Sequence, residues 1–129
     1  MSTNLKKRLE NLAGRVSWLE YEHKQLAIKQ LKHAHAKVIR VANEVGVARM
    51  GLRKTRQVFH KIEEAEETYG LLNPKVSFRK YKDNMVYDMQ LLISYFEDSR
   101  VRKAIVQELL PWVSQLPILV DVLFPFLDE

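Results

Sequence analysis

The feature that most constrains this chain is an apolar seam with heptad spacing along its first part. Leu5, Leu9, Leu12, Val16, Leu19, His23 and Leu26 follow one another at alternating steps of four and three. Side chains that repeat every 3.5 residues form the a/d stripe by which helices supercoil around a partner. The stripe then slips by one residue and resumes as Ala27, Leu31, Ala34, Val38, Val41 and Val45. Such a slip is either a phase shift within a coiled coil or a change of partner, from another chain to the protein's own body. A helix over residues 4–45 would be roughly 60 Å long, whereas a compact domain of this size has a radius of gyration of about 14 Å. The spacing therefore predicts an arm over 4–26 that projects and pairs with a second copy, making a homo-oligomer. The alternative is a long helix that lies on its own bundle, with or without a break at Gly14. His23, the polar member of the seam, either sets register and oligomer number or sits solvated at its edge.

Downstream the pattern stays helical, with no convincing strand, repeat or low-complexity tract. A second helix is expected over 48–69, with Val58, Ile62, Ala65 and Tyr69 on one face, Phe59 beside them, and Gly70 as its C-terminal cap. Asn73 and Pro74 carry the opening signals of a third helix. Its inner face would be Phe78, Tyr81, Met85, Met89, Leu92 and Phe96. Asp98-Ser99 ends that helix and caps a fourth, lined by Val101, Ile105, Leu109, Trp112 and Leu116 and interrupted at Pro111. The tail ILVDVLFPFL is apolar on all sides, as in a segment buried in a core or covered by a partner. The expected fold class is all-α, a single domain over 1–129. It comprises the coiled-coil-like arm, a basic helical hairpin over 27–69 bent near residue 46, and a helical core over 74–129 with an acidic, apolar C-terminus.

Charge is distributed unevenly. The net charge is +5, yet residues 1–61 carry 14 Lys or Arg against 4 acids and residues 62–129 carry 7 against 12. From Lys24 to Lys61 there are ten basic residues and one acid, Glu44. A basic half beside an acidic half points to a polyanion on one side. Lys29, His33, Lys37 and Arg40 recur at helical spacing opposite the Ala27–Val45 seam. Arg49, Arg53, Arg56 and His60 do so on the second helix, with Lys54 and Lys61 beside them. That second helix is reversed relative to its macrodipole, which favours acids in the first turn and bases in the last by about 0.3–1 kcal/mol each. Here arginines stand at the start and Glu63, Glu64, Glu66 and Glu67 near the end. A local rule broken without structural gain suggests function, and a helix N-terminus with added arginines suits phosphate. The plain alternative is a solvated face neutralised by those glutamates.

The stretch VANEVGVARMGLRKTRQVFHK, residues 41–61, resembles the helix-turn-helix of bacterial and phage DNA-binding proteins. Ala42 would allow close helix approach and Gly46 would make the turn. Val47 and Leu52 would pin the second helix, which would start at Arg49. The resemblance implies that Arg49, Arg53, Lys54 and Arg56 face DNA. It covers about 20 residues and departs at Ala48, where a capping Ser or Thr is usual, at Gly51 inside the would-be recognition helix, and at Thr55, where an apolar residue is common. A plain hairpin that grips backbone phosphates without reading bases is the competing reading. Apart from Phe59, no aromatic interleaves the basic run, which disfavours single-strand stacking. DNA is expected ahead of RNA as the nucleic acid.

No sign of catalysis stands out. There is no phosphate loop, GxSxG or HExxH. His33 and His35 point to different helix faces, and His60–Glu64 reads as a surface pair. Arg53 and His60 are similar in spacing to the Arg/His pair of certain helical ribonucleases, which chance also produces in a basic helix. No enzyme, cofactor or metal is expected. The chain has no cysteine, hence no disulfide or thiolate site. Its most apolar run, 116–127, is shorter than the roughly 20 residues of a membrane span. A cytoplasmic, non-enzymatic, self-associating nucleic-acid-binding protein is expected, such as a DNA-binding regulator or an accessory subunit of a nucleoprotein complex. The apolar C-terminus is a possible protein contact. The alternative is a helical protein–protein adaptor without nucleic-acid binding.

Overall fold

A computed structural model describes the backbone of residues 2–69 and 77–129, and the side chains over 5–9, 24–69 and 77–129. The chain is all-α. Helix α1 spans Ser2–Met50, α2 Leu52–Tyr69, α3 Phe78–Ser94 and α4 Ser99–Leu109. A 3-10 turn over Leu110–Trp112, a short α5 over Leu119–Leu123 and a second 3-10 turn over Phe124–Phe126 complete it. Among the described residues no helix is long and apolar enough to cross a membrane.

Helix α1 is continuous through Gly14 and is 49 residues long, roughly 73 Å at 1.5 Å per residue. The slip in its seam marks a change of environment. Beyond the slip, Leu31, Ala34, Val38 and Val41 are buried, at 0–5% exposure, against α3 and α4. Before it, Leu5, Leu9 and Leu26 are 62%, 58% and 56% exposed. Leu12, Val16, Leu19 and His23 lie outside the described side chains. The packed half begins near Lys24, whose ammonium lies 5.7 Å over the Phe78 ring.

The bend between α1 and α2 falls at residue 51, five positions beyond the expected one. Gly46 stays helical and buried. A Cβ there would come within 2.6 Å of the Phe96 ring, so this glycine serves close packing rather than a turn. Gly51 takes φ +86°, a left-handed conformation that glycine adopts without steric penalty. Its N–H closes the last turn of α1 on the Val47 carbonyl, and its carbonyl accepts from Thr55 N–H and from Thr55 Oγ1 at 2.9 Å. One residue thus ends one helix and begins the next. Helix α2 folds back along α1, as the contact between His35 and Glu66 shows. This is a hairpin, so Gly46 makes no helix-turn-helix turn and Arg49 does not open a recognition helix.

The core follows the expected faces. Met85, Met89, Leu92 and Phe96 of the α3 segment meet Val58 and Ile62 of α2, and Val101, Ile105 and Leu109 of α4. Helix α3 is capped by Ser77, whose Oγ accepts from Lys80 N–H at 3.4 Å. The caps expected from Gly70 and Asn73-Pro74 lie outside the described residues. Asp98 caps α4 by accepting from Arg100 N–H at 2.9 Å. Its neighbour Arg100 holds the Asp98 carboxyl below its ordinary range, first by the side-chain and then by the backbone hydrogen bond. Pro111 ends α4 in the 3-10 turn. The apolar tail divides: Leu119, Val122 and Leu123 are buried, while Val120, Phe124 and Leu127 are exposed.

Candidate nucleic-acid interface

The hairpin decides which cations can act together. Arg53, Lys54, Arg56, His60 and Lys61 all line one open groove of ≈ 1020 Å³ beside the turn. Tyr95 and Glu97, just past the end of α3, and Glu64 of α2 also line it. These five basic residues are exposed. They stand in water and can still converge on one ligand.

Sequence alone puts them there by helical phase. Thr55, Val58, Ile62 and Ala65 are the buried stripe of α2, which turns the intervening cations outward. Thr55 donates its hydroxyl to the Gly51 carbonyl, so the polar group at this buried position keeps a hydrogen-bond partner. Tyr95 is the part that periodicity misses. It arrives from another helix, and its ring stands 5.9 Å from the Lys61 ammonium. One aromatic therefore does border the basic run, in space rather than in sequence.

The α1 cations are on another face. His35 points at α2, and Lys29, His33, Lys37 and Arg40 are turned from it by about 120–200° at roughly 100° per residue. Lys37 is half-buried with its ammonium 3.7 Å over the Trp112 ring. That is a cation–π contact to the C-terminal segment. Arg40 pairs with Glu44 at 3.2 Å. Lys29 and His33 are exposed. Arg49 lies in the last turn of α1, where the macrodipole favours a cation. The unfavourably placed bases of α2 are thus Arg53, Lys54 and Arg56.

No family model, curated protein or solved structure matches the chain. Function must be argued from the site itself.

The glutamate run also divides. Glu64 stays on the surface and pairs with His60 at 3.3 Å. Glu66 turns inward to His35 Nε2 at 3.3 Å. His35 Nε2 also lies 2.5 Å from Asp88 Oδ2 of α3, and Asp88 is 1% exposed. Burial raises the Glu66 pKa above its ordinary 4.5 and the nearby Asp88 charge raises it further, while His35 opposes both. Pattern reasoning passed over this cluster because each member sits alone on its own helix, 22 or more positions from the next.

Proposed function

We propose that the protein is a non-enzymatic, self-associating nucleic-acid-binding protein that grips backbone phosphates through the α2 groove. The observation that carries this reading is the convergence of Arg53, Lys54, Arg56, His60 and Lys61 on one groove beside a turn. Arg and Lys supply charge-assisted donors to phosphate oxygens. The α2 macrodipole, positive at this end, adds to the same field. Nothing in the groove's make-up demands base reading, so contact to phosphates is the economical assignment. DNA is the favoured nucleic acid, ahead of RNA. The exposed leucines of the N-terminal arm would join copies, and two joined grooves would multiply avidity. A cytoplasmic regulator or an accessory subunit of a nucleoprotein complex would use such a device.

The test is fluorescence anisotropy with duplex DNA, single-stranded DNA and RNA over a range of salt. Micromolar or tighter binding is expected near physiological salt. For duplex DNA, log Kobs should fall against log salt with a slope of about −3 to −4, as three or four phosphate contacts require. Absence of binding to all three ligands would refute the proposal. A second reading, a protein-only adaptor, draws on exposed Val120, Phe124 and Leu127, and it predicts no nucleic-acid binding at any salt.

A further inference from the structure

We propose that His35, Glu66 and Asp88 bind one divalent transition-metal cation of the Zn²⁺ or Mn²⁺ class, clamping α1, α2 and α3 together. One donor atom from each residue lies within 4.8 Å of the other two. The three residues come from three different helices, the usual way a bundle builds a metal site in its interior. One imidazole nitrogen with two carboxylate oxygens is a donor set that suits these ions, with water completing the shell.

The second observation is the state of Asp88. Its side chain is 1% exposed, and its Oδ1 has no hydrogen-bond partner. A buried carboxylate oxygen without a partner is expensive. Among the described residues no lysine or arginine pairs with Asp88 or Glu66. A divalent ion held between the two carboxylates would give Asp88 Oδ1 the partner it lacks.

The spacing is close to what an ion needs. Metal–ligand bonds of about 2.0–2.2 Å in a tetrahedral shell place donors about 3.3–3.6 Å apart. His35 and Glu66 already stand 3.3 Å apart. The His35–Asp88 contact, now 2.5 Å, must open by about 1 Å or pass to Oδ1. Glu66, with its side chain 32% exposed, provides the entry path. The site is separate from the basic groove, and its existence does not depend on nucleic-acid binding.

The experiment uses the full chain after exhaustive chelation, titrated with Zn²⁺ and with Mn²⁺ by calorimetry, and with Co²⁺ by visible absorption. One equivalent of ion should bind and raise Tm by roughly 10 °C at a hundredfold excess over Kd. Glu66→Gln and His35→Ala should each weaken binding by more than about 10-fold. Asp88→Asn should do the same if circular dichroism shows it folded. If it does not fold, Glu66→Gln at the half-exposed position decides. Failure of both cations to bind at millimolar concentration would overturn the proposal and leave a buried imidazole–carboxylate pair. Unchanged affinity in Glu66→Gln would also overturn it.

Discussion

Two parts of α2, its opening cations and Glu66, treat charge in opposite ways. In the first half, Arg53, Lys54 and Arg56 stand in water at the positive end of the helix dipole. They repel one another and the dipole, and no acid stands in the first turn to relieve them. In the second half, Glu66 leaves the exposed run and turns onto His35, beside buried Asp88. The first arrangement leaves charge available to an outside anion. The second withdraws charge into the body of the bundle, where it links three helices. Helix phase decides the difference: Arg53 and Arg56 fall opposite the buried stripe, while Glu66 falls at its edge.

The sharpest way to break this comparison is to remove the exposed half. Arg53→Ala, Lys54→Ala and Arg56→Ala together should lower affinity for duplex DNA on the order of 100-fold and flatten the salt slope by about 3. Thermal melting should not fall, because the substitutions relieve a dipole conflict. Undiminished binding would mean that the α1 stripe, with Lys29, His33 and Arg40, is the working face.

Next in size are changes to the hairpin that holds the two halves in place. Gly46→Ala gains helix propensity but drives a methyl group into the fully buried Phe96 ring. A net loss of about 1–2 kcal/mol is expected in denaturant unfolding, since overpacking typically costs about 1–3 kcal/mol. Gly51→Ala meets open space but must keep φ +86°, so it should cost about 1 kcal/mol through backbone strain alone. If Gly46→Ala proves neutral, Phe96 has room to shift.

The smallest effect has a distinctive pH signature. Because the folded pKa of Glu66 lies above its ordinary 4.5, the unfolded chain releases this proton first as pH rises. Ionisation therefore weighs against folding above that pH, and stability present in acid is lost towards neutrality. In the presence of chelator, Glu66→Gln should raise Tm at pH 7 to 8 relative to the wild type. That advantage should vanish near pH 4. An advantage that is constant with pH would mean that the carboxylate's charge is not what matters there.

Much of the architecture was legible along the chain. Period 3.6 marked the inner faces of α3 and α4, Asp98 announced a cap, and Pro111 announced a break. The slip after Leu26 marked where α1 passes from exposed leucines to its own core. The bend was misplaced because Gly46 and Gly51 look alike in sequence. Only contact with Phe96, fifty residues away, shows that the first glycine is needed for space and the second for its backbone angle. The basic groove was half legible: helical phase grouped Arg53, Arg56 and His60, but periodicity within each helix could not say that α1 and α2 turn their stripes apart.

The sequence by itself determined an all-helical chain with its cations crowded before residue 62, because side-chain periodicity and charge are local properties. The tertiary structure decided which of those charges share a surface. It placed Tyr95 beside Lys61, set Lys37 over Trp112, and brought His35, Glu66 and Asp88 within 4.8 Å. Those meetings depend on how three helices pack, and packing depends on contacts between residues far apart in the chain, which no local pattern encodes.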